Sequence, residues 1–395
     1  MPSQTSFVID GGALLHKVPW PKCSTYLALC DLYVNYVKTH FGTNTIVIFD
    51  GYQSGPTTKD EAHQCRAGCE MGVEIDISLD MLCKMKKKQF LSNVNNKQKF
   101  LYLLGPILVQ NGINVTHAQG DADYDIVMSA CRLAETETSV TIVCDDTDIL
   151  VLILYYINPC TQQIIMKTSS NMIDVGTMKR EIGPILSSMI LFVHALTGCD
   201  TVSKPYGLGK MTAVSKVELL KEYGTVFMNE NSSQTHIEEA GQQALSILYG
   251  CTNLNQGRAA KFRVKVLSSS KYVPPERLPP TIDAANFHNR RVFHQVQAWL
   301  GNYLQPTEWG WVLEKTPTGK PILKPTRMTQ EAAPKSLLNI VKCNCSKACN
   351  TNICSCKKNG LKCTLACGKC KGISCLNVLP SDEDDFEDNE QTLYT

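Results

Sequence analysis

Up to about residue 200 the chain alternates short apolar runs with longer amphipathic stretches, the pattern of strand-helix-strand units. Phe7 to Asp10, Thr45 to Asp50, Ile113 to His117, Val140 to Asp145 and Gln163 to Lys167 read as strands. Tyr26 to His40, a broken stretch from Thr57 to Phe100, and Asp123 to Glu135 read as helices between them. The fold class expected is therefore α/β with a parallel sheet. From residue 225 to 341 the pattern weakens into a connecting region read as mainly helical: Asn229 to Thr235 is a polar loop, and Pro274, Pro275, Pro279, Pro280, Pro317, Pro321 and Pro325 punctuate the rest. One helix stands out there. Val292, Val296, Trp299 and Leu300 fall at i, i+4, i+7 and i+8, so His288 to Tyr303 should bury that face, with Arg290 and Arg291 at its start. Trp309 and Trp311 read as buried anchors, and His117 and His194, on apolar elements, as satisfied core histidines.

Charge changes this picture only when it is divided along the chain. The net charge is +2, yet residues 342–377 hold seven Lys and no acid, whereas residues 378–395 hold seven acids and no base. The last stretch is expected to be a disordered acidic tail. No apolar run reaches the roughly 18 residues of a membrane span, and no secretory signal opens the chain, so neither insertion nor secretion is expected.

Of 19 cysteines, nine fall between positions 343 and 375: Cys343, Cys345, Cys349, Cys354, Cys356, Cys363, Cys367, Cys370 and Cys375. Thiolates in Cys-x-Cys pairs are poorly placed for a mutual disulfide and well placed to converge on tetrahedral zinc. Three zinc ions need twelve ligand positions, which nine cysteines fill if three of them bridge. Such a cluster carries a net charge of −3, and lysines including Lys347, Lys357 and Lys358 neutralise it with a surplus for phosphate. The order of these cysteines, ending at Asn377, resembles the tesmin-type CXC domain of DNA-binding and chromatin proteins. That resemblance implies about three zinc ions, a nucleic acid or chromatin partner and a nuclear setting. Members that read DNA place a tyrosine before the second Cys-x-Cys, where this chain has Ile353.

The second concentration of chemistry is acidic. Asp10 and Asp50 end apolar strands, Asp145, Asp146 and Asp148 follow another, Asp121 and Asp123 stand where a loop enters a helix, and Asp200 follows the apolar stretch Met189 to Leu196. Ligand sites of open α/β sheets lie at such strand ends. Converging carboxylates repel one another unless a divalent cation joins them, and magnesium prefers oxygen ligands.

This run of Asp10, Asp50, Gly120-Asp121-Ala122-Asp123, Asp146 with Asp148, and Asp200 resembles the metal-binding series of flap endonucleases, a branch of the PIN-like nucleases, over about residues 5–224. The resemblance implies two magnesium or manganese ions held by those seven aspartates. It also implies that Lys59 and Arg66 orient the scissile phosphate, and that Gly207, Gly209 and Lys210, opening a helix-two-turn-helix-like element at 203–224, grip nucleic-acid backbone. The implied activity is structure-sensitive phosphodiester hydrolysis of DNA, with RNA open as a substrate; the alternative is a catalytically silent PIN-like adaptor that only binds. Only nine residues precede Asp10, where flap endonucleases carry a segment that holds bent DNA, leaving open a different substrate or a longer N-terminus.

Overall fold

A computed structural model describes residues 5–51, 55–59, 72–137, 139–158, 163–250, 279–316, 319, 321–330, 343–346, 348–358, 361–363, 367–372 and 375–377. The chain divides into two compact units, Met1–Met328 and Thr329–Thr395.

In the first unit, β1 (Ser6–Asp10), β2 (Thr45–Phe49), β3 (Asn114–His117), β4 (Val140–Val143) and β5 (Ile164–Lys167) pair in parallel, and β6 (Met172–Asp174) adds an antiparallel edge, in the order β3-β2-β1-β4-β5-β6. Both faces of the central strands are covered, which is why they read as unbroken apolar runs: Val8 and Ile9 point to opposite faces and are 0% and 1% exposed. One face carries α1 (Gly11–Lys17), α2 (Tyr26–Phe41), α3 (Lys87–Leu91) and α4 (Val94–Gln110), packing Leu15, Tyr33, Phe90 and Phe100 against Ile9 and Val47. The other carries α5 (Asp123–Leu133), α6 (Thr147–Tyr156) and α7 (Val175–Leu196), packing Ile126, Ile149 and Leu191 in one core with Val8, Ile48 and Ile142. The α/β class expected from the hydrophobic pattern is therefore the one observed.

Beyond α7, the short α8 (Lys210–Val214), α9 (Val217–Met228), α10 (Gln234–Leu248) and α11 (Ile282–Trp299) extend the second core through Leu220, Phe227, Ala244 and Val292. The helix expected over His288 to Tyr303 begins earlier, because Thr281 accepts the Ala284 N–H and caps it there. Arg290 and Arg291 thus stand mid-helix; Arg291 is buried and donates to the Gly310 and Thr326 carbonyls. Trp311 is buried and Trp309 packs on Phe293, as anchors.

A feature that prolines concealed is the hairpin of β7 (Trp311–Lys315) and β8 (Pro321–Pro325), in which Pro321 and Pro325 occupy the two ends of an edge strand, where a missing N–H is tolerated. His117 departs from the core role expected of it. It is exposed on the edge strand β3 and stacks on Phe49 at 5.5 Å between centroids.

Gly51 lets the loops after β2 and β3 meet. Its N–H donates to the Gly120 carbonyl at 2.8 Å, and a Cβ on it would lie 1.8 Å from the Ala118 oxygen. We expect Gly51→Ala to cost about 1–3 kcal/mol of stability, read by urea denaturation of the metal-free protein; an unchanged midpoint would show that this approach is not required.

Candidate metal centres

The strand order reverses between β1 and β4, and the acids cluster at the carboxyl edge around that point. Asp10 ends β1 and caps α1, accepting the Gly12 N–H at 2.7 Å. Asp50 follows β2 and accepts the Ala122 N–H at 3.3 Å, which ties the β2 loop to the turn that presents Asp121 and Asp123. Gly12 separates two carboxylates: a Cβ there would lie 3.1 Å from Oδ1 of Asp10 and 3.9 Å from Oδ2 of Asp50. Asp146 caps α6 by accepting the Asp148 N–H at 2.7 Å. Aspartates two apart thus share a direction because each pair stands at a helix entry.

Burial, then the charge of Asp50, raises the Asp10 pKa from 3.8 to about 6, with Asp146 acting the same way. Burial and Asp121 push Asp123 well above the usual carboxylate range against the pull of Lys59. Burial is also the main reason Asp146 is raised, and Asp148 and Asp200 add to it. All seven aspartates are therefore electrostatically linked, and the raised groups are ones that a cation would stabilise. Among the described residues, no three carboxylates bring oxygens within 4.8 Å of one another. The ammonium of Lys59 stands among them instead, 2.6 Å from Asp121 and 3.3 Å from Asp123. An all-oxygen donor set, partly desolvated and self-repelling, fits a hard divalent cation.

Asp145 takes no part in this group. It pairs with Lys17 at 3.1 Å and accepts from the Ser169 hydroxyl at 2.7 Å.

Two partners were not legible in the sequence. His194, near the end of α7 and 4% exposed, donates Nε2–H to Oδ1 of Asp148 at 2.7 Å. Burial raises the Asp148 pKa, but this hydrogen bond and the His194 charge outweigh it and hold the carboxyl below its ordinary value. His194 is thus a satisfied histidine, but its partner belongs to the acid site. Lys97 on α4 reaches Oδ2 of Asp50 at 3.6 Å. The only hint of His194 was its position six residues before Asp200; nothing in the sequence marked Lys97.

Gly207, at φ +74°, and Gly209 lead into α8, and Lys210 folds back so that its ammonium donates to the Gly198 carbonyl at 2.9 Å. Arg66 and Lys347 lie outside the described residues.

Removing the internal cation should be felt. We expect Lys59→Met to destabilise the protein in EDTA by about 1–3 kcal/mol, between the exposed-pair and buried-pair ranges because Asp121 keeps solvent contact. Added magnesium should recover part of the loss, read as melting temperature with and without metal.

In the second unit the buried residues among those described are Asn377 and eight cysteines, Cys343, Cys349, Cys354, Cys356, Cys363, Cys367, Cys370 and Cys375. No disulfide joins them. Sulfur separations of 3.8 Å for Cys343 to Cys349, 3.7 Å for Cys354 to Cys363 and 3.5 Å for Cys356 to Cys367 are close to the edge of a tetrahedron with Zn–S spokes of roughly 2.3 Å. Three tetrads form: Cys343, Cys356, Cys363 and Cys367; Cys343, Cys349, Cys354 and Cys363; and Cys349, Cys363, Cys370 and Cys375. Cys363 belongs to all three. Cys345 is half-buried at the margin and belongs to none. Asn377 fastens the end of the module, donating to the Leu361 carbonyl at 3.0 Å and towards the Cys363 sulfur at 3.4 Å. This cysteine cluster fits a zinc module. Lys357 and Lys358 are exposed on α12 (Ser355–Lys358), and Ile353 is 88% exposed beside it.

No protein-family model and no curated protein matches this sequence. Solved structures do. The bacteriophage T5 flap endonuclease, in a pseudo-enzyme–product complex with DNA and metal ions, is 11% identical with a TM-score of 0.37, over 75% of this chain and 98% of that one. The catalytic core of Rad2 in complex with DNA substrate is 14% identical with a TM-score of 0.36, over 72% of this chain and 77% of that one. The eukaryotic junction-resolving enzyme GEN-1 is 14% identical with a TM-score of 0.36, over 81% and 79% of the two chains. No described helix is long and apolar enough to cross a membrane.

Proposed function

We propose that this protein is a metal-dependent, structure-sensitive nuclease acting on DNA, with RNA open as a substrate, and that its C-terminal zinc module, of the CXC type, holds it on nucleic acid or chromatin in the nucleus. The observation that carries the reading is the convergence of seven linked aspartates from five separate segments at the switch point of the sheet, with burial and mutual repulsion raising Asp10, Asp123 and Asp146. A fold does not concentrate unfavourable charge at its ligand-binding edge for stability.

Asp10, Asp50, Asp121, Asp123, Asp146, Asp148 and Asp200 are the residues that would hold two magnesium or manganese ions. Bound there, the ions would supply an activated water and neutralise charge on the phosphodiester. The chain's own groups supply position. His194 fixes the direction of Asp148. Lys59 is within reach of Asp121 and Asp123 and, once cations satisfy those acids, can turn its ammonium to the scissile phosphate. Lys97 offers a second cation on the Asp50 side. In the zinc module, exposed Lys357 and Lys358 supply sequence-independent phosphate contacts, and Ile353 offers no hydrogen bond to a base edge.

The decisive test incubates the full-length protein with flap, gapped, hairpin and single-stranded DNA and with RNA, in magnesium, manganese or EDTA. Cleavage that requires metal supports the enzyme. Binding without cleavage of any of them would establish the silent adaptor, in which Lys59 is the permanent counterion of the acids.

A further inference from the structure

Two lysine side chains hold carboxylate oxygens that a divalent ion would need. Nζ of Lys59 lies 2.6 Å from Oδ2 of Asp121 and 3.3 Å from Oδ2 of Asp123, so one ammonium spans both acids at the entry to α5. That contact is partly desolvated, with the Lys59 side chain 21% exposed and that of Asp123 11% exposed. From α4, Nζ of Lys97 lies 3.6 Å from Oδ2 of Asp50. Oδ1 of Asp50 already accepts the Ala122 N–H, so Lys97 faces the oxygen through which Asp50 would meet a cation. An ammonium and a divalent ion cannot occupy these positions together, because like charges at contact distance repel strongly where water is partly excluded. A metal ion must displace the lysine.

While the ion stays, the displaced ammonium is repelled from its former acids, and a phosphate oxygen is the anionic partner that a nucleic acid brings. We propose that Lys59, and Lys97 to a lesser degree, compete with divalent ions for these carboxylates and so make metal binding and nucleic-acid binding depend on each other. Metal releases the ammonium groups to phosphate, and phosphate keeps them off the acids; linkage makes the two effects equal in size. This competition rests on the metal-site reading above and adds its regulation: cations bind weakly to the acids alone and tightly once a nucleic acid is in place. The geometry ranks the two lysines. Lys59 joins two carboxylates at hydrogen-bond distance, whereas Lys97 meets Asp50 at 3.6 Å.

Manganese binding to the reduced, zinc-loaded full-length protein, read from the EPR signal of the free ion, tests the competition without turnover. The Asp146→Asn, Asp148→Asn double variant serves as the blank that separates the acid site from other manganese sites. Lys59→Met should tighten manganese at the acid site by about tenfold or more and Lys97→Met by about threefold, while Lys59→Arg, which keeps the charge, should stay within about threefold of the parent. A lysine that only supported the structure would give the opposite sign, since its loss would loosen the ligands. Equal or weaker manganese binding by Lys59→Met therefore overturns the competition. No difference between the parent and the blank overturns the metal-site reading itself. The reciprocal effect is read by fluorescence anisotropy of a labelled hairpin DNA at constant ionic strength. Replacing EDTA by calcium, which also takes oxygen ligands, should tighten binding to the parent by a factor about threefold or more above that for Lys59→Met. The same factor in both would overturn the coupling.

Discussion

Replacing Asp146 and Asp148 together by Asn should lower metal-dependent cleavage by more than about 100-fold while leaving the fold in place. The geometry explains why the damage is confined. An Asn at 146 can still accept the Asp148 N–H that starts α6, and an Asn at 148 can still accept the His194 Nε2–H. What disappears is the charge that retains cations. Binding of DNA by the full chain in EDTA should change by less than about threefold, because phosphate contacts elsewhere dominate affinity. Equal cleavage by the variant and the parent would remove these acids from the mechanism.

The same acids give a signature in pH. Asp10 has a folded pKa of about 6 against an ordinary 3.8, so the metal-free folded state binds more protons than the unfolded state between those values. Stability contributed by the protonated form is therefore lost as pH rises through that window. Asp148 has the opposite sign, since its depressed pKa favours the folded state above the ordinary carboxylate range and the benefit fades as pH falls. Asp10→Asn should consequently raise the melting temperature in EDTA more at pH 8 than at pH 4. A larger gain at pH 4 would contradict the burial and repulsion assigned to Asp10.

Strand-end acids were legible because two local rules coincide. Buried parallel strands are written as apolar runs, and the residue that leaves such a run at its carboxyl end must face the switch-point crevice. Val8 and Ile9 identify β1, and Asp10 follows from them. His194 and Lys97 were not legible for the complementary reason: each reaches the site from a helix whose rotation is set by tertiary packing. His194 lies in an apolar stretch that gives no sign of which side chain meets Asp148, 46 residues earlier. Helix α6 was equally obscure, since Thr147–Tyr156 is apolar on nearly every side and periodicity cannot distinguish a buried helix from a strand. Residues 72–78, within the stretch read as a broken helix, are irregular, and partners such as Asn96, which accepts the Ile75 N–H and donates to the Val73 carbonyl, hold them. In the cysteine module the spacing announced metal ligation, but not which sulfur lies at the centre.

That central position yields the second large effect. Cys363 belongs to all three tetrads, whereas Cys345 belongs to none, although the sequence reading made all nine cysteines ligands, three of them bridging. Eight thiols and one asparagine are the only described residues buried in this unit, so the described residues offer almost no hydrophobic core on which it could fold. On the proposed zinc reading the metal would supply that stability, and a structural zinc typically contributes about 10–16 kcal/mol at neutral pH. Cys363→Ser should therefore release most of the zinc and abolish protected amides in this unit, while Cys345→Ser should lose one ion or fewer. Elemental analysis of the reduced full-length protein should find about three zinc ions in the parent. The first unit should keep its melting temperature in both variants, because its core contains none of these cysteines. Equal zinc loss from the two variants would mean that Cys345 shares the bridging work, with three doubly bridging sulfurs in place of a single hub.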